Sequence, residues 1–122
     1  MPVLVELAHL GEQFPLTEAA RQGAIEAVLD TITAAAAAPP FAFSEAICEA
    51  YGPGKSAIWF SSVRASVAGA AFANAFTSAA LDLDDGHRAS RGHPGAAVVP
   101  AVFADVDRLL AAGMELDNDT VL

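Results

Sequence analysis

Apolar residues recur at helical spacing early in the chain. Ile25, Val28, Leu29 and Ile32 fall at i, i+3, i+4 and i+7, the pattern of one buried helix face. Glu18, Arg21, Gln22 and Glu26 fill much of the opposite face. Thr17 reads as the start, with Glu18 placed favourably for the helix dipole, and Pro39-Pro40 as the stop. The alanines from Ala34 to Ala38 are then good helix formers ahead of a proline. Ser44 reads as the N-cap of a short second helix ending at Tyr51, closed by Gly52-Pro53-Gly54. Ile58-Trp59-Phe60 is too short to read as a strand, so an extended linker with its rings packed under neighbouring helices is expected.

Ser61 or Ser62 caps the third predicted helix, which runs through about Ala80. Ala65, Ala68, Gly69, Ala70, Ala71, Ala73 and Ala75 make it small on nearly every side, which predicts burial from most directions. A polar loop follows. Pro100 costs about 3 kcal/mol inside a helix, so the fourth helix is placed from Val98–Pro100 through Val102, Phe103, Val106, Leu109 and Leu110 to a stop at Gly113. Asp117 looks like the N-cap of a fifth helix, five residues before Leu122, which predicts the front piece of something longer. The expectation is an all-α chain with helices near 18–37, 44–51, 62–80 and 99–112 and one Asp/His-rich loop. Residues 1–122 are read as an incomplete segment of one helical domain.

Composition narrows the function classes. The 122 residues carry a net charge of −9 with six Lys and Arg, which argues against nucleic acid and against an anionic membrane surface. Of the 54% hydrophobic residues, 29 are alanine, which favours helix and close helix contact. One cysteine, Cys48, excludes an internal disulfide and reads as a small core residue. The N-terminus lacks a basic stretch and bears Glu6, so it does not read as a signal peptide. The uncharged run from Ala65 to Leu81 is 17 residues, short of the roughly 20 needed to span a bilayer. A soluble, cytoplasmic protein is expected.

Reactive chemistry is concentrated between Leu81 and Gly95, where Asp82, Asp84, Asp85, His87, Arg88, Arg91 and His93 gather. Carboxylates after a helix C-terminus meet an unfavourable dipole, and the arginines and imidazoles of the loop are the expected compensation. Such a mouth can grip a carboxylate through the planar arginine fork and move protons through His and Asp. The plainer reading is a solvated connector whose aspartates satisfy local backbone donors. A metal site from Asp84, Asp85, His87 and His93 is a further reading, although their spacing matches no strong metal signature.

Four stretches together resemble the MmgE/PrpD family. These are Ala71-Phe72-Ala73-Asn74-Ala75, Leu81-Asp82-Leu83-Asp84-Asp85-Gly86-His87, Gly92-His93-Pro94-Gly95 and Val99-Pro100-Ala101. The segments Leu29-Asp30-Thr31-Ile32, Gly52-Pro53-Gly54-Lys55-Ser56-Ala57-Ile58-Trp59 and Gly113 to Leu122 are similar to that family's N-terminal portion, so the resemblance covers the chain from about residue 15. It implies a lyase scaffold acting on small polycarboxylates, as in 2-methylcitrate dehydratase, cis-aconitate decarboxylase and an iminodisuccinate epimerase, without a required metal or cofactor. It also implies a large helical domain, a homodimer, and active-site roles for Asp82 and His93.

Around these two, His87, Arg88 and Arg91 are candidates for substrate carboxylates, and Asp84, Asp85 and Gly86 for supporting the site. Many members have Thr where this chain has Gly86, and the family's lysine and a further histidine come from later in a longer chain, whereas Lys55 lies upstream. The chain alone is therefore expected to carry half a site and to be inactive without the remainder of the enzyme. Two rivals remain: a non-catalytic helical module that binds a partner, and a divalent-metal protein using the Asp/His loop.

Overall fold

Thr17 starts the first helix with its own side chain, its Oγ1 accepting from the Ala20 amide at 3.1 Å. The helix, α1 (Glu18–Ala37), ends ahead of Pro39-Pro40. The computed structural model describes residues 13–40, 44–89 and 91–117, together with Val3, Glu6, His9 and Gly11. After α1 come α2 (Ser44–Tyr51), the two-residue strands β1 (Ser56–Ala57) and β2 (Arg64–Ala65), α3 (Val67–Ala79) and α4 (Pro94–Ala111). The strands pair antiparallel, Ser56 opposite Ala65 and Ala57 opposite Arg64. The all-α expectation holds, with this small hairpin as the only sheet among the described residues. Ser44 is the first described residue of α2, and the fifth helix after Asp117 lies outside the described residues.

Three boundaries and faces differ from expectation. The third helix begins at Val67, because Ser66 rather than Ser61 or Ser62 caps it, accepting from the Gly69 amide at 3.2 Å. The residues before it are held in the hairpin instead. Ile58 is buried and Trp59 meets Phe103 edge-on at 6.2 Å, but Phe60 sits in the turn at φ 56 and is 68% exposed. The fourth helix begins at Pro94, five residues before the expected start, and runs through Pro100. Pro94 suits the first helical position, where no amide hydrogen is needed. Pro100 removes one backbone bond, and its ring is fully buried, which offsets that loss.

On α1, the buried face is Thr31, Ala34 and Ala35 rather than the Ile25–Ile32 stripe, and Leu29 is exposed. Small residues win because α1, α3 and α4 pack closely. The approach of α2 to α3 is also close: a Cβ on Gly69 of α3 would lie 3.0 Å from Tyr51 Cβ and 3.1 Å from Ile47 Cγ2. Ile47, Ile58, Ala65, Ala70, Ala73 and Ala104 form the main core, flanked by Cys48, Val63, Val67 and Ala71.

Alanines bury little area each, so buried polar bonds share the work of fixing the hairpin. Asn74, fully buried on α3, accepts from the Trp59 amide at 2.8 Å and donates to the Ala57 carbonyl at 3.0 Å. From α4, the Ala104 carbonyl accepts from Ser56 and the Asp107 carboxylate accepts from the Ala57 amide, each at 2.6 Å. At its far end α4 stops as expected. Gly113, at φ 83, donates to Leu110 and Met114 donates to Leu109, the paired bonds of a glycine-closed helix end. Among the described residues, no helix is long and apolar enough to cross a membrane.

Candidate active site

The loop between α3 and α4 begins after Ala80, whose amide donates to the Thr77 carbonyl at 3.3 Å. The Asp82 amide donates to the Ala79 carbonyl at 3.2 Å, and Asp82 itself takes φ 54, a left-handed conformation that is unfavourable for a residue with a Cβ. This turn sends Asp82 outward, 87% exposed, and Asp84 inward, with its side chain 1% exposed. Further on, the His87 amide donates to the Gly92 carbonyl at 2.9 Å and closes a small bridge, with Arg91 at φ 51 inside it. The chain then enters α4 at His93.

His93 occupies the N-cap position of α4, yet its side chain makes no capping bond. Asp85 does so from ten residues upstream, its Oδ1 accepting from the Gly95 amide at 3.0 Å. A carboxylate here meets the positive end of a helix, which is stabilising. The aspartates of this loop were expected to be compensated by Arg88 and Arg91. Neither arginine pairs with Asp82, Asp84 or Asp85 among the described residues; the α4 N-terminus and His93 take that role. The contact is close enough to require glycine. A Cβ on Gly95 would collide with Asp85 Oδ1 and lie 2.9 Å from Thr31 Oγ1 on α1.

With its side chain released from capping, the His93 ring sits between two carboxylates. Its Nε2 is 3.4 Å from Asp82 Oδ1, and its Nδ1 is 3.4 Å from Asp84 Oδ2 and 3.2 Å from the Asp84 carbonyl. The Asp84 carbonyl raises the imidazole pKa above the ordinary 6.5 most, followed by the charge of Asp84, with a smaller contribution from Asp82 and partial opposition from desolvation. Both Asp84 carboxylate oxygens are buried without a hydrogen-bond partner, so the contact with His93 is an ion-pair approach rather than a formed bond. Gly86, His87, Arg88, Arg91, Gly92 and His93 line an open depression of about 330 Å³ beside the ring. A larger depression of about 530 Å³ lies near Pro39, Trp59 and Ser61 and has no titratable lining residue.

The expected residues thus divide into three groups. Asp82, Asp84 and His93 come together, Asp85 is committed to the helix start, and His87, Arg88 and Arg91 stand on the rim. A Cβ at Gly86 would meet nothing, so no neighbour there demands glycine. The ligand set for a metal also changes: Asp82, Asp84 and His93 offer atoms within 4.8 Å of one another, and Asp85 and His87 are not part of that group. Thr31 and Gly95 were not read as site residues, because what matters is their meeting across α1 and α4.

A sequence model of the MmgE/PrpD N-terminal domain matches residues 6–118. The chain belongs to the MmgE/PrpD family. No curated protein and no solved structure matches it. In this MmgE/PrpD chain, the aspartate cluster and the His-Pro pair are one three-dimensional unit, joined through the start of α4.

Proposed function

We propose that this chain supplies the helical half of the active site of a lyase acting on a small polycarboxylate, by dehydration or a related proton abstraction beside a carboxylate. The observation that carries the reading is the His93 ring held between Asp82 and Asp84 at the edge of a depression that Arg88 and Arg91 line. Asp82 and His93 share and transfer the proton, and the arginines, with His87, orient substrate carboxylates. Further basic groups come from the remainder of the enzyme, which works as a homodimer, and the 122-residue chain alone turns over none of these acids. The test is activity against a panel of citrate-like acids, using the chain alone and a longer polypeptide carrying it. Turnover by the longer form, lost with Asp82→Asn or His93→Ala and indifferent to chelator, is expected. Turnover that survives His93→Ala refutes the reading.

One observation favours a second reading. The ligand atoms of Asp82, Asp84 and His93 lie within 4.8 Å of each other, close enough to converge on a divalent ion. Activity abolished by chelator and restored by a divalent cation would select it.

A further inference from the structure

We propose that Asp84 is a positioning residue that acts through His93. Its carbonyl and its buried carboxylate together hold the ring in the Nδ1–H form, so that Nε2 is the nitrogen presented to Asp82 and to substrate. The catalytic consequence rests on the lyase reading above; the tautomer itself does not.

Nδ1 faces two groups of one residue, the Asp84 carbonyl at 3.2 Å and Oδ2 at 3.4 Å. A carbonyl oxygen only accepts, so Nδ1 is the donor whenever the ring is neutral. The Nε2 lone pair of that neutral ring then points at Asp82 Oδ1, 3.4 Å away. A lone pair facing a carboxylate is unfavourable, so the pair is stabilised by holding one proton between them. That shared proton is what passes to or from a bound acid.

The charged and titratable groups around the ring are Asp82, Asp84 and Asp85 on the preceding loop, with His87, Arg88 and Arg91 across the depression. Of these, only Asp84 is buried beside the ring without a partner for either oxygen. A carboxylate placed there and left without hydrogen bonds serves the fold poorly, which points to a role toward His93. An ion bridging both carboxylates would draw them to one ring nitrogen. Here they stand on opposite nitrogens.

The test is the ring-nitrogen NMR spectrum of His93 in the full chain, read across pH. The neutral ring should be the Nδ1–H tautomer, titrating above 6.5, and Asp84→Asn should move that titration downward. A neutral Nε2–H ring in the unaltered chain overturns the proposal, and that result needs no variant to fold. Unchanged titration in a folded Asp84→Asn overturns it too. So does stoichiometric Zn²⁺ binding that Asp82→Asn and Asp84→Asn both abolish, because Asp84 would then be a ligand. In the active longer polypeptide, Asp84→Asn should lower kcat by about tenfold or more with little change in KM, and move the pH profile with it. Correct tautomer without turnover would refute the lyase reading alone.

Discussion

The helices α3 and α4 start in opposite ways. At α3 the cap is local: Ser66 precedes Val67 and its own hydroxyl takes the Gly69 amide. At α4 the N-cap residue is His93, its ring is turned away, and Asp85 reaches in from ten residues upstream. The first arrangement only begins a helix. The second begins a helix and also frees an imidazole to stand between two carboxylates. One helix start stands alone, and the other is interlocked with the candidate site.

The strongest break in that comparison is catalytic. In an active polypeptide carrying this chain, Asp82→Asn and His93→Ala should each lower kcat by about 10²–10⁴-fold, roughly 3–5 kcal/mol of barrier, with little change in melting temperature. Ser66→Ala should leave kcat as it was. Steady-state kinetics beside thermal melts would show whether the two helix starts are as different as the geometry makes them.

Steric tests come next. Gly69→Leu and Gly95→Ala should each destabilise by about 1–3 kcal/mol in denaturant titrations, since both positions are closed by neighbouring atoms. Their side effects should differ. Gly69→Leu strains the junction with Tyr51 and Ile47, whereas Gly95→Ala pushes on Asp85 and so should also disturb the His93 ring signals.

Smaller effects compare the caps themselves. Ser66→Ala should cost about 1 kcal/mol, and Asp85→Asn about 0.3–1 kcal/mol, because the amide oxygen still accepts while the charge at the helix end is lost. Asp85→Asn should lower stability more than rate; a large loss of kcat with unchanged stability would make Asp85 a participant in the chemistry.

The smallest effect is in pH. The folded protein holds the His93 proton more tightly than the unfolded chain. Its contribution to stability is therefore fully present below about pH 6.5 and is lost as pH rises through the higher folded value. Chemical denaturation across that window should show the decline, and His93→Ala should remove it.

Local signals were legible in the sequence, and remote ones were not. Thr17, the Pro39-Pro40 stop and the Gly113 end all act within a turn of their helix, and each stands where the sequence places it. Asp82 and His93 stood out in the sequence as candidates, and the structure brings them together. The start of α4 was not legible, because Pro100 reads as a boundary while the capping carboxylate, Asp85, lies ten residues before the Gly95 amide it holds. The role of Asn74 was hidden in the same manner: an amide amid alanines gives no sign that it binds the Ala57 carbonyl and the Trp59 amide on either side of Ile58. Burial of Asp84 rather than Asp82 depends on the turn at φ 54, which hydrophobic patterning does not encode.

That turn has a consequence for anyone selecting variants of this protein by heat. Glycine adopts φ 54 without the clash that Asp82 bears. Asp82→Gly relieves strain at an exposed position and gives up only the carboxylate's approach to His93 Nε2 at 3.4 Å. A library enriched only for survival at high temperature will therefore drift toward Asp82→Gly, and each round will discard the carboxylate that faces His93. Thermal hardiness and the contact between Asp82 and His93 compete for a single backbone angle.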